Sequence, residues 1–282
     1  MKIVSFRQGS KESYGVVVGD GVADMGAKLG KDYPTLRRLL LGHGLGKLAD
    51  AAKGAKADHK LDKVTLLPVI PDAEKLICVG VNYDEHRMET GRQKSDYPVL
   101  FLRFADTQVG HGQPMIKPKS SERFDYEGEL AVVIGKEGRN IPAARALEHV
   151  AGYACYNDGS VRDWQRHTHQ FTPGKNFPAT GAFGPWMVTA DEIKDPKKLT
   201  LVTRLNGQEV QRAGTDMMIF DIPALIAYIS GFTVLRPGDV IITGTPGGVG
   251  DRRTPPLYMK GGDTVEVEIS GVGLLRNPIA NE

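Results

Sequence analysis

Two glutamates stand two residues apart at the start of an apolar run. Glu127 and Glu129 precede the β-branched residues that end at Ile134 in "RFDYEGELAVVIG", a pattern that predicts a buried strand. Alternate residues of a strand share a face, so the two carboxylates should project together, about 7 Å apart. Their repulsion would be relieved by a cation, and oxygen ligands suit Mg²⁺ or Mn²⁺. A solvated edge strand is the alternative.

A second acidic segment follows another apolar run. In "GYACYNDGSVRDWQ", Asp158 ends a predicted strand, and Arg162 and Gln165 follow the glycine turn. Asp158 could supply a third oxygen ligand, while the planar guanidinium of Arg162 suits a substrate carboxylate. An aspartate that caps a helix beside a surface arginine would give the same pattern, so this segment alone leaves both interpretations open.

His86 and Glu89 lie three residues apart in "VGVNYDEHRMETG". If this segment is helical, the two side chains share a face, and Glu89 can orient and polarise the imidazole. His86 would then be a general base able to take a proton from water. A partly exposed histidine in a surface salt bridge is the alternative.

Lys175 and Thr245 each lie in a turn-rich segment. Lys175, in "FTPGKNFPATGAFGPW", has apolar neighbours and could stabilise an oxyanion or bind a carboxylate, although a solvated loop lysine fits equally well. Thr245 lies in "DVIITGTPGGVG", which lacks the GK[ST] of a phosphate-binding loop and precedes no clear helix, so we exclude nucleotide binding. We expect instead a close backbone approach to a small ligand, with Thr245 as a donor.

The remaining histidine and cysteine patterns predict no further site. His167 and His169 form an HxH pair without other ligands at zinc spacing, which argues against a zinc site. Cys78 and Cys155, the only cysteines, lie in predicted strands and lack a CxxC spacing. We therefore expect both to be reduced core residues.

Composition narrows the class of protein. The 282 residues are 40% hydrophobic and 25% charged, with a net charge of +2, as in an ordinary globular chain. No clustered basic patch suggests a nucleic-acid partner. The polar start of the chain does not resemble a signal peptide, and no run of eighteen apolar residues suggests a membrane span. These features predict a cytoplasmic protein without a nucleic-acid or membrane partner.

Residues 1–66 predict a small N-terminal α/β module. "KIVSFR" and "YGVVVGDGVADM" predict strands, and "YPTLRRLLLGHG" predicts a short amphipathic helix that ends at glycine. The polar segment "AAKGAKADHKLDK" is either a solvated helix or a connection. We place the domain boundary at its end, with the second domain covering residues 67–282.

The second domain is rich in predicted strands, which carry the candidate site residues. Two predicted helices interrupt them: "IPAARALEHVAGY" and "DIPALIAYISGF", the latter with Asp221 as its N-cap. The chain has 34 glycines and 17 prolines and no regular alternation of strands and helices. This pattern argues against a doubly wound parallel sheet and favours an α+β, mostly β fold of packed or rolled sheets.

Six segments taken together resemble the fumarylacetoacetate hydrolase family, in particular its branch of acylpyruvate hydrolases and oxaloacetate decarboxylases. In order, they are "GVNYDEHRME", "FDYEGELAVVIG", "GYACYNDGSVRDWQ", "GKNF", "NGQEVQRAGTDMMIF" and "PGDVIITGTPGGVG". They span roughly residues 75 to 275. The resemblance implies a mixed β-roll or β-sandwich catalytic domain, a variable N-terminal module and a homodimer.

The resemblance also implies a role for each candidate residue. The implied ligands of Mg²⁺ or Mn²⁺ are Glu127, Glu129 and Asp158. The implied catalytic residues, a water-activating dyad and a substrate-polarising lysine, are His86, Glu89 and Lys175. The implied substrate-binding residues are Arg162, Gln165 and Thr245. Val81 departs from relatives that carry an arginine between Gly80 and Asn82, so the substrates of those relatives should not be transferred to this chain.

These roles predict hydrolysis of a C–C bond in a 2,4-dioxo acid such as an acylpyruvate, through an enolate that a divalent ion stabilises. The products would be a carboxylic acid and pyruvate or a substituted 2-oxo acid. Oxaloacetate decarboxylation, 2-oxo-dienoate hydration or isomerisation, and a ligand-binding protein without activity are the alternatives. We expect the far end of the substrate to be selected by the loops "RQKSDYP", "RHTHQFTP" and "GDRRTPPLY", with the N-terminal module as a further candidate. Arg252 and Arg253 suggest an acidic group, although a solvated turn explains them equally well.

Overall fold

The computed structural model describes all 282 residues and contains nineteen strands. The strands are β1 (Lys2–Gln8), β2 (Lys11–Val18), β3 (Gly21–Asp24), β4 (His59–Lys60), β5 (Thr65–Leu66), β6 (Leu76–Gly80), β7 (Val99–Arg103), β8 (Gln108–Val109), β9 (Met115–Lys117), β10 (Phe124–Asp125), β11 (Gly128–Ile134), β12 (Val150–Asp158), β13 (Ser160–Val161), β14 (Gly181–Thr189), β15 (Thr200–Leu205), β16 (Gln208–Gly214), β17 (Val240–Ile242), β18 (Thr264–Ile269) and β19 (Gly273–Asn281).

Helices are fewer and mostly short. The α-helices are α1 (Met25–Leu29), α2 (Leu36–Leu41), α3 (Leu45–Ala52), α4 (Asp84–Glu89), α5 (Arg162–Gln165), α6 (Thr172–Lys175) and α7 (Ile222–Phe232). The 3₁₀-helices are Leu61–Lys63, Ala105–Thr107, Ala143–His149, Ala190–Glu192, Pro196–Lys198, Thr215–Met217 and Gly250–Arg252. The predicted α+β, mostly β fold is confirmed.

The strands form three sheets. The main path of the twelve-stranded sheet runs β4-β3-β2-β1-β14-β12-β11-β17-β6-β7, with β5 paired to β1 and β8 paired to β14. A five-stranded sheet runs β16-β15-β18-β19-β9, and β10 pairs with β13. Because β1 pairs with β14, the N-terminal strands extend the large sheet. The division at residue 66 stays a prediction.

Strand β11 lies near the middle of the large sheet and is buried along its whole length. Leu130 and Val132 pack into one apolar cluster, and Ala131 and Val133 into the other, so the strand contributes to both hydrophobic layers. Burial on both faces explains the continuous apolar sequence that predicted this strand. A strand fixed on both faces is a rigid support for the residues at its start.

The antiparallel pairing of β11 with β12 determines where the acidic residues meet. Gly128 pairs with Asn157 in this register, and Glu129 pairs with Tyr156. The start of β11 therefore lies beside the end of β12. The Asp158 amide donates to the Glu127 carbonyl over 2.8 Å, which joins the two segments that the sequence placed thirty residues apart.

The two helices predicted in the second domain differ in outcome. Helix α7 begins after Asp221, whose carboxylate accepts a hydrogen bond from the Ala224 amide at 2.9 Å, as expected for an N-cap. In "IPAARALEHVAGY" the predicted helix is wrong. This segment forms a 3₁₀-helix that buries only Ala146 and His149, and β12 begins at Val150. Pairing with β11 outweighs the local helical preference of the last residues.

Two further features bear on the predictions. Cys78 and Cys155 are free and buried, as expected for core residues. None of the helices has both the length and the apolar character that crossing a membrane requires.

Candidate active site

Three carboxylates converge where β11 begins and β12 ends. Glu127, Glu129 and Asp158 are 5%, 2% and 0% exposed. One oxygen of each lies within 4.8 Å of an oxygen of the others. The solvated edge strand is thereby excluded, and so is the surface-cap interpretation of Asp158. Burial close to one another is the arrangement that a shared cation would require.

Glu129 shows how poorly the like charges of this cluster are relieved. Burial raises the pKa of Glu129 well above its usual range, and the nearby charges of Asp158 and Glu127 raise it further. Its carboxylate accepts one backbone hydrogen bond, from the Gly244 amide at 2.5 Å. Glu129 thus carries the unrelieved charge of the cluster, and three buried carboxylates that meet in this way are a donor set that fits a hard divalent ion such as Mg²⁺ or Mn²⁺.

Lys175 is a buried cation that bridges two of the three carboxylates. Its Nζ lies 2.7 Å from Glu127 Oε2 and 2.7 Å from Asp158 Oδ2, at the end of α6. Burial alone would lower the pKa of Lys175, but Asp158 and Glu127 outweigh it, so the pKa is raised. With 1% of its surface exposed, Lys175 is not a solvated loop residue. Its charge is directed into the carboxylate cluster.

Arg162 is held between two acidic side chains. Its Nε donates to Asp125 Oδ2 at 2.8 Å, and its Nη1 lies 2.7 Å from Glu127 Oε1. Nη1 also donates to Gln165 Oε1 at 3.0 Å. Asp125 in turn accepts hydrogen bonds from the backbone amides of Gly250 and Asp251. The arginine is therefore fixed from the strand side and from the neighbouring loop.

His86 and Glu89 form the dyad that their spacing predicted, because the segment is helical (α4). Nδ1 of His86 lies 2.6 Å from Glu89 Oε1, and since a carboxylate only accepts, Nδ1–H is the donor. Glu89 Oε2 accepts a second hydrogen bond, from the Gly248 amide at 2.9 Å. The imidazole is buried, and its Nε2 makes no hydrogen bond to the protein.

The glycine-rich loop after β17 donates backbone hydrogen bonds to two carboxylates of the site. Gly244, with φ of 100°, donates to Glu129, and Gly248, with φ of 95°, donates to Glu89. A Cβ on Gly248 would lie 2.3 Å from the carbonyl oxygen of Val210, so no side chain fits there. The sequence predicted that this backbone would approach a small ligand closely. In the structure it approaches the carboxylates of Glu129 and Glu89.

Thr245 lies in the same loop, and its hydroxyl joins the loop to β11. The hydroxyl donates to the Gly128 carbonyl at 2.9 Å and accepts from Gln211 Nε2 at 2.8 Å. Gln211 Oε1 also accepts from the Gly128 amide at 3.0 Å, so both segments share one buried amide. Thr245 lines the cavity described next, and its contact with substrate stays a prediction.

A cavity lined by eighteen residues opens onto these groups. Of the nine predicted site residues, the seven that line it are His86, Glu127, Glu129, Arg162, Gln165, Lys175 and Thr245. The other two stand behind the lining, Glu89 against His86 and Asp158 against Lys175. Thus the structure brings together all nine residues.

The cavity has two ends that differ in charge. We call the buried end the inner end, formed by Glu127, Glu129, Asp158, Arg162 and Lys175. We call the outer end the mouth, formed by Arg92, Arg166, Phe171, Asp251 and Arg252. These mouth residues come from the three loops expected to select the substrate.

Two other suggestions from the sequence concern residues that do not belong to this site. Arg253 is turned away from the cavity, because its guanidinium donates to the Tyr126 hydroxyl and the Val210 carbonyl. His167 and His169 are exposed, and they belong to no group of potential metal ligands.

Three buried residues of the site were missed at the level of sequence. Arg103 donates to Asp158 Oδ1 at 2.6 Å, and a charged residue in the apolar run "VLFLRF" was its available signal. Asp125 stood in the quoted acidic segment, two residues before Glu127, so the spacing that singled out the two glutamates was its available signal. Gln211 carries no sequence signal, since its role arises from the packing of β16 against the glycine loop.

Known proteins are similar to this chain in sequence and in fold. Residues 75–280 match the family model described as the fumarylacetoacetate (FAA) hydrolase C-terminal domain. The chain is 38% identical to the mitochondrial oxaloacetate tautomerase fahd2 of Xenopus laevis over 288 residues, covering 99% of this chain and 90% of that protein. Since that relative is mitochondrial, the cytoplasmic location stays a prediction.

Two solved structures are also similar. A fumarylacetoacetate hydrolase from Exiguobacterium antarcticum has a TM-score of 0.81 and 34% identity, with 100% of both chains covered. Maleylpyruvate hydrolase from Sphingobium sp. SYK-6, in complex with manganese(II) and pyruvate, has a TM-score of 0.83 and 31% identity, covering 100% of this chain and 99% of that one. The chain belongs to the fumarylacetoacetate hydrolase family, as its six ordered motifs predicted.

Proposed function

We propose that this protein is a divalent-metal-dependent hydrolase of 2,4-dioxo acids, which breaks a C–C bond to give a carboxylic acid and pyruvate or a substituted 2-oxo acid. The observation that carries the proposal is the His86–Glu89 dyad, whose imidazole lines the same cavity as Glu127 and Glu129, with Asp158 behind them. A base able to activate water is what hydrolysis needs beyond enolate stabilisation.

Glu127, Glu129 and Asp158 would hold Mg²⁺ or Mn²⁺. A bound divalent ion would supply positive charge that stabilises negative charge developing on substrate oxygens. The buried, mutually repelling carboxylates support this assignment. Further support comes from the Sphingobium maleylpyruvate hydrolase, which was solved with manganese(II) and pyruvate.

Arg162 and Lys175 supply the fixed positive charges for the 2-oxo acid. The Arg162 guanidinium, held by Asp125 and Glu127, would orient the substrate carboxylate, with Gln165 beside it. The Lys175 ammonium lies in the carboxylate cluster and would stabilise the oxygen that gains negative charge. Both groups are fixed before substrate binds, so little reorganisation is needed.

The dyad moves the proton. Glu89 accepts Nδ1–H of His86, which leaves the lone pair of Nε2 directed away from Glu89. Nε2 takes one proton from water, and the resulting hydroxide attacks the C4 carbonyl of the substrate. The C3–C4 bond then breaks, its electron pair passes toward the 2-oxo group, and C3 takes up a proton from His86.

A second candidate is tautomerisation or decarboxylation of oxaloacetate, and 2-oxo-dienoate hydration or isomerisation belongs to the same set. Tautomerisation of oxaloacetate is favoured by the 38% identity to the Xenopus laevis oxaloacetate tautomerase. In that case His86 would move a proton from C3 of the substrate, and no water would attack. The two candidates therefore share the inner end and differ in what the dyad deprotonates.

An assay on purified protein with Mg²⁺ or Mn²⁺ separates the candidates. We expect turnover of acetylpyruvate to acetate and pyruvate, with a loss on the order of 10²- to 10⁴-fold in His86→Ala. Tautomerisation and decarboxylation of oxaloacetate are followed in parallel. Absence of acetylpyruvate cleavage, or cleavage that survives the loss of His86, would contradict the hydrolase proposal.

A further inference from the structure

Arg92 is an arginine at the mouth that lacks an acidic partner. It follows α4 in the chain, and its guanidinium lies over the Phe171 ring, 4.9 Å from the ring centroid. No carboxylate oxygen comes within 4.0 Å of its nitrogens. The other cationic side chains of the cavity are all closer to acids: Arg162 to Asp125 and Glu127, Lys175 to Glu127 and Asp158, and Arg166 and Arg252 to Asp251.

The mouth consequently carries an excess of positive charge. Three arginines, Arg92, Arg166 and Arg252, line the mouth together with one carboxylate. That carboxylate, Asp251, pairs with Arg166 and lies 3.5 Å from Arg252. The pKa of Arg92 is lowered, chiefly by partial desolvation and then by the positive charge of Arg252, while the charge of Glu127 opposes this shift. An anionic group in the cavity would offset the excess of positive charge.

Arg92 is also arranged to accept a planar anion. The Phe171 ring supports one face of the guanidinium and restricts its orientation. The guanidinium edge remains available for two parallel hydrogen bonds, which is the geometry that carboxylates favour. The Phe171 platform and the place in the cavity lining distinguish Arg92 from an arginine that extends freely into solvent.

We propose that Arg92 binds a second carboxylate, at the end of the substrate remote from its 2-oxo acid group, so that dicarboxylic substrates bind more tightly than monocarboxylic ones such as acetylpyruvate. This assignment rests on the proposed function, in which the inner end holds the 2-oxo acid. It names the mouth as the specificity site and a 2-oxo diacid as the substrate class.

The test measures binding rather than turnover. The Mg²⁺-loaded protein is titrated calorimetrically with 2-oxoglutarate and with 2-oxopentanoate, which share the 2-oxo acid end and the chain length but differ in the distal carboxylate. We expect the wild type to bind 2-oxoglutarate at least about tenfold more tightly. Arg92→Gln should lose most of this preference, while its affinity for 2-oxopentanoate changes less than about twofold.

Two variants control for trivial effects. Lys94→Gln removes the same charge from the same exposed loop outside the cavity lining, and should keep the preference. Arg92→Lys keeps the positive charge but cannot make two parallel hydrogen bonds, so it should keep only part of the preference for 2-oxoglutarate.

The possible failures are distinct. Equal affinity of the wild type for the two acids would overturn the role of Arg92 alone, as would an equal loss of both affinities in Arg92→Gln. If the wild type binds neither acid, the proposed 2-oxo acid function and the Arg92 assignment are both wrong.

Discussion

The inner end and the mouth of the cavity are both crowded with charge, yet they are built differently. At the inner end Asp158 contacts both Arg103 and Lys175, and all three side chains are buried. At the mouth Arg166 and Arg252 share Asp251, and Arg92 has no acidic partner. The difference indicates that the charges of the inner end are fixed by the protein itself, while the mouth keeps a cation without an acidic partner, which we propose the substrate supplies.

The largest expected effect is the loss of a buried partner at the inner end. Asp158→Asn would leave Arg103 and Lys175 buried without their shared carboxylate. Breaking a buried ion pair on one side destabilises a protein by about 3–5 kcal/mol. Chemical denaturation without added metal should show this decrease in the free energy of unfolding. A decrease below about 1 kcal/mol would mean that the inner end is no more rigid than the mouth.

Glu129→Gln should separate stability from metal affinity. A carboxyl group whose pKa rises on folding destabilises the fold at neutral pH, so the neutral amide should raise stability in the absence of metal. Loss of the anionic ligand should weaken Mn²⁺ binding by more than about 100-fold, as a titration would measure. A variant that is less stable without metal, or that binds Mn²⁺ normally, would contradict the proposed ligand set.

Glu89→Gln tests whether the dyad belongs to the preorganised inner part of the site. The amide keeps the size of the side chain but can present a donor to His86 and so disturb its tautomer. We expect kcat to fall between about 10- and 100-fold, with Mn²⁺ affinity unchanged. An unchanged kcat would show that Glu89 does not orient His86, and a parallel loss of metal affinity would indicate a general disruption of the site.

The smallest effect is expected at the mouth, where Asp251→Asn is the matched counterpart of Asp158→Asn. Because Arg166 is exposed, the lost pair should cost only about 0.5–1 kcal/mol. Burial opposes ionisation of Asp251, but its hydrogen bonds with Arg166 and Tyr258 lower its pKa below the usual value.

The sign of the pH dependence follows from that lowered pKa. The stabilising contribution of Asp251 is complete above its unfolded pKa and is lost as pH falls through the lower folded value. The difference in stability between wild type and Asp251→Asn should therefore shrink below about pH 4. A difference that grows on acidification would contradict this assignment.

The sequence predicted the inner end better than the mouth for a physical reason. Glu127, Glu129 and Asp158 lie at the ends of long apolar strands, whose pattern is strong, and the spacing of His86 and Glu89 has a direct helical meaning. Arg92 gave no such signal, because what sets it apart is the absence of a nearby acid, and only the folded chain shows which charges meet.

Tertiary pairing also explains what was missed in the fold. The segment from Ala143 to Val150 has helix-forming residues, but β12 takes its last part into the sheet. Gln211 serves β11 and the glycine loop only because β16 packs beside both. The homodimer, the boundary at residue 66 and the cytoplasmic location depend on features beyond one folded chain and stay predictions.

The register of β11 against β12 links assembly of the site to folding of the core. A slip of one residue would move Leu130 to the position of Glu129, placing a carboxylate in the apolar layer and a leucine among the proposed metal ligands. Such a chain could neither pack nor coordinate an ion. The amount of Mn²⁺ bound during refolding should therefore measure the fraction of chains in which β11 and β12 have reached their native register.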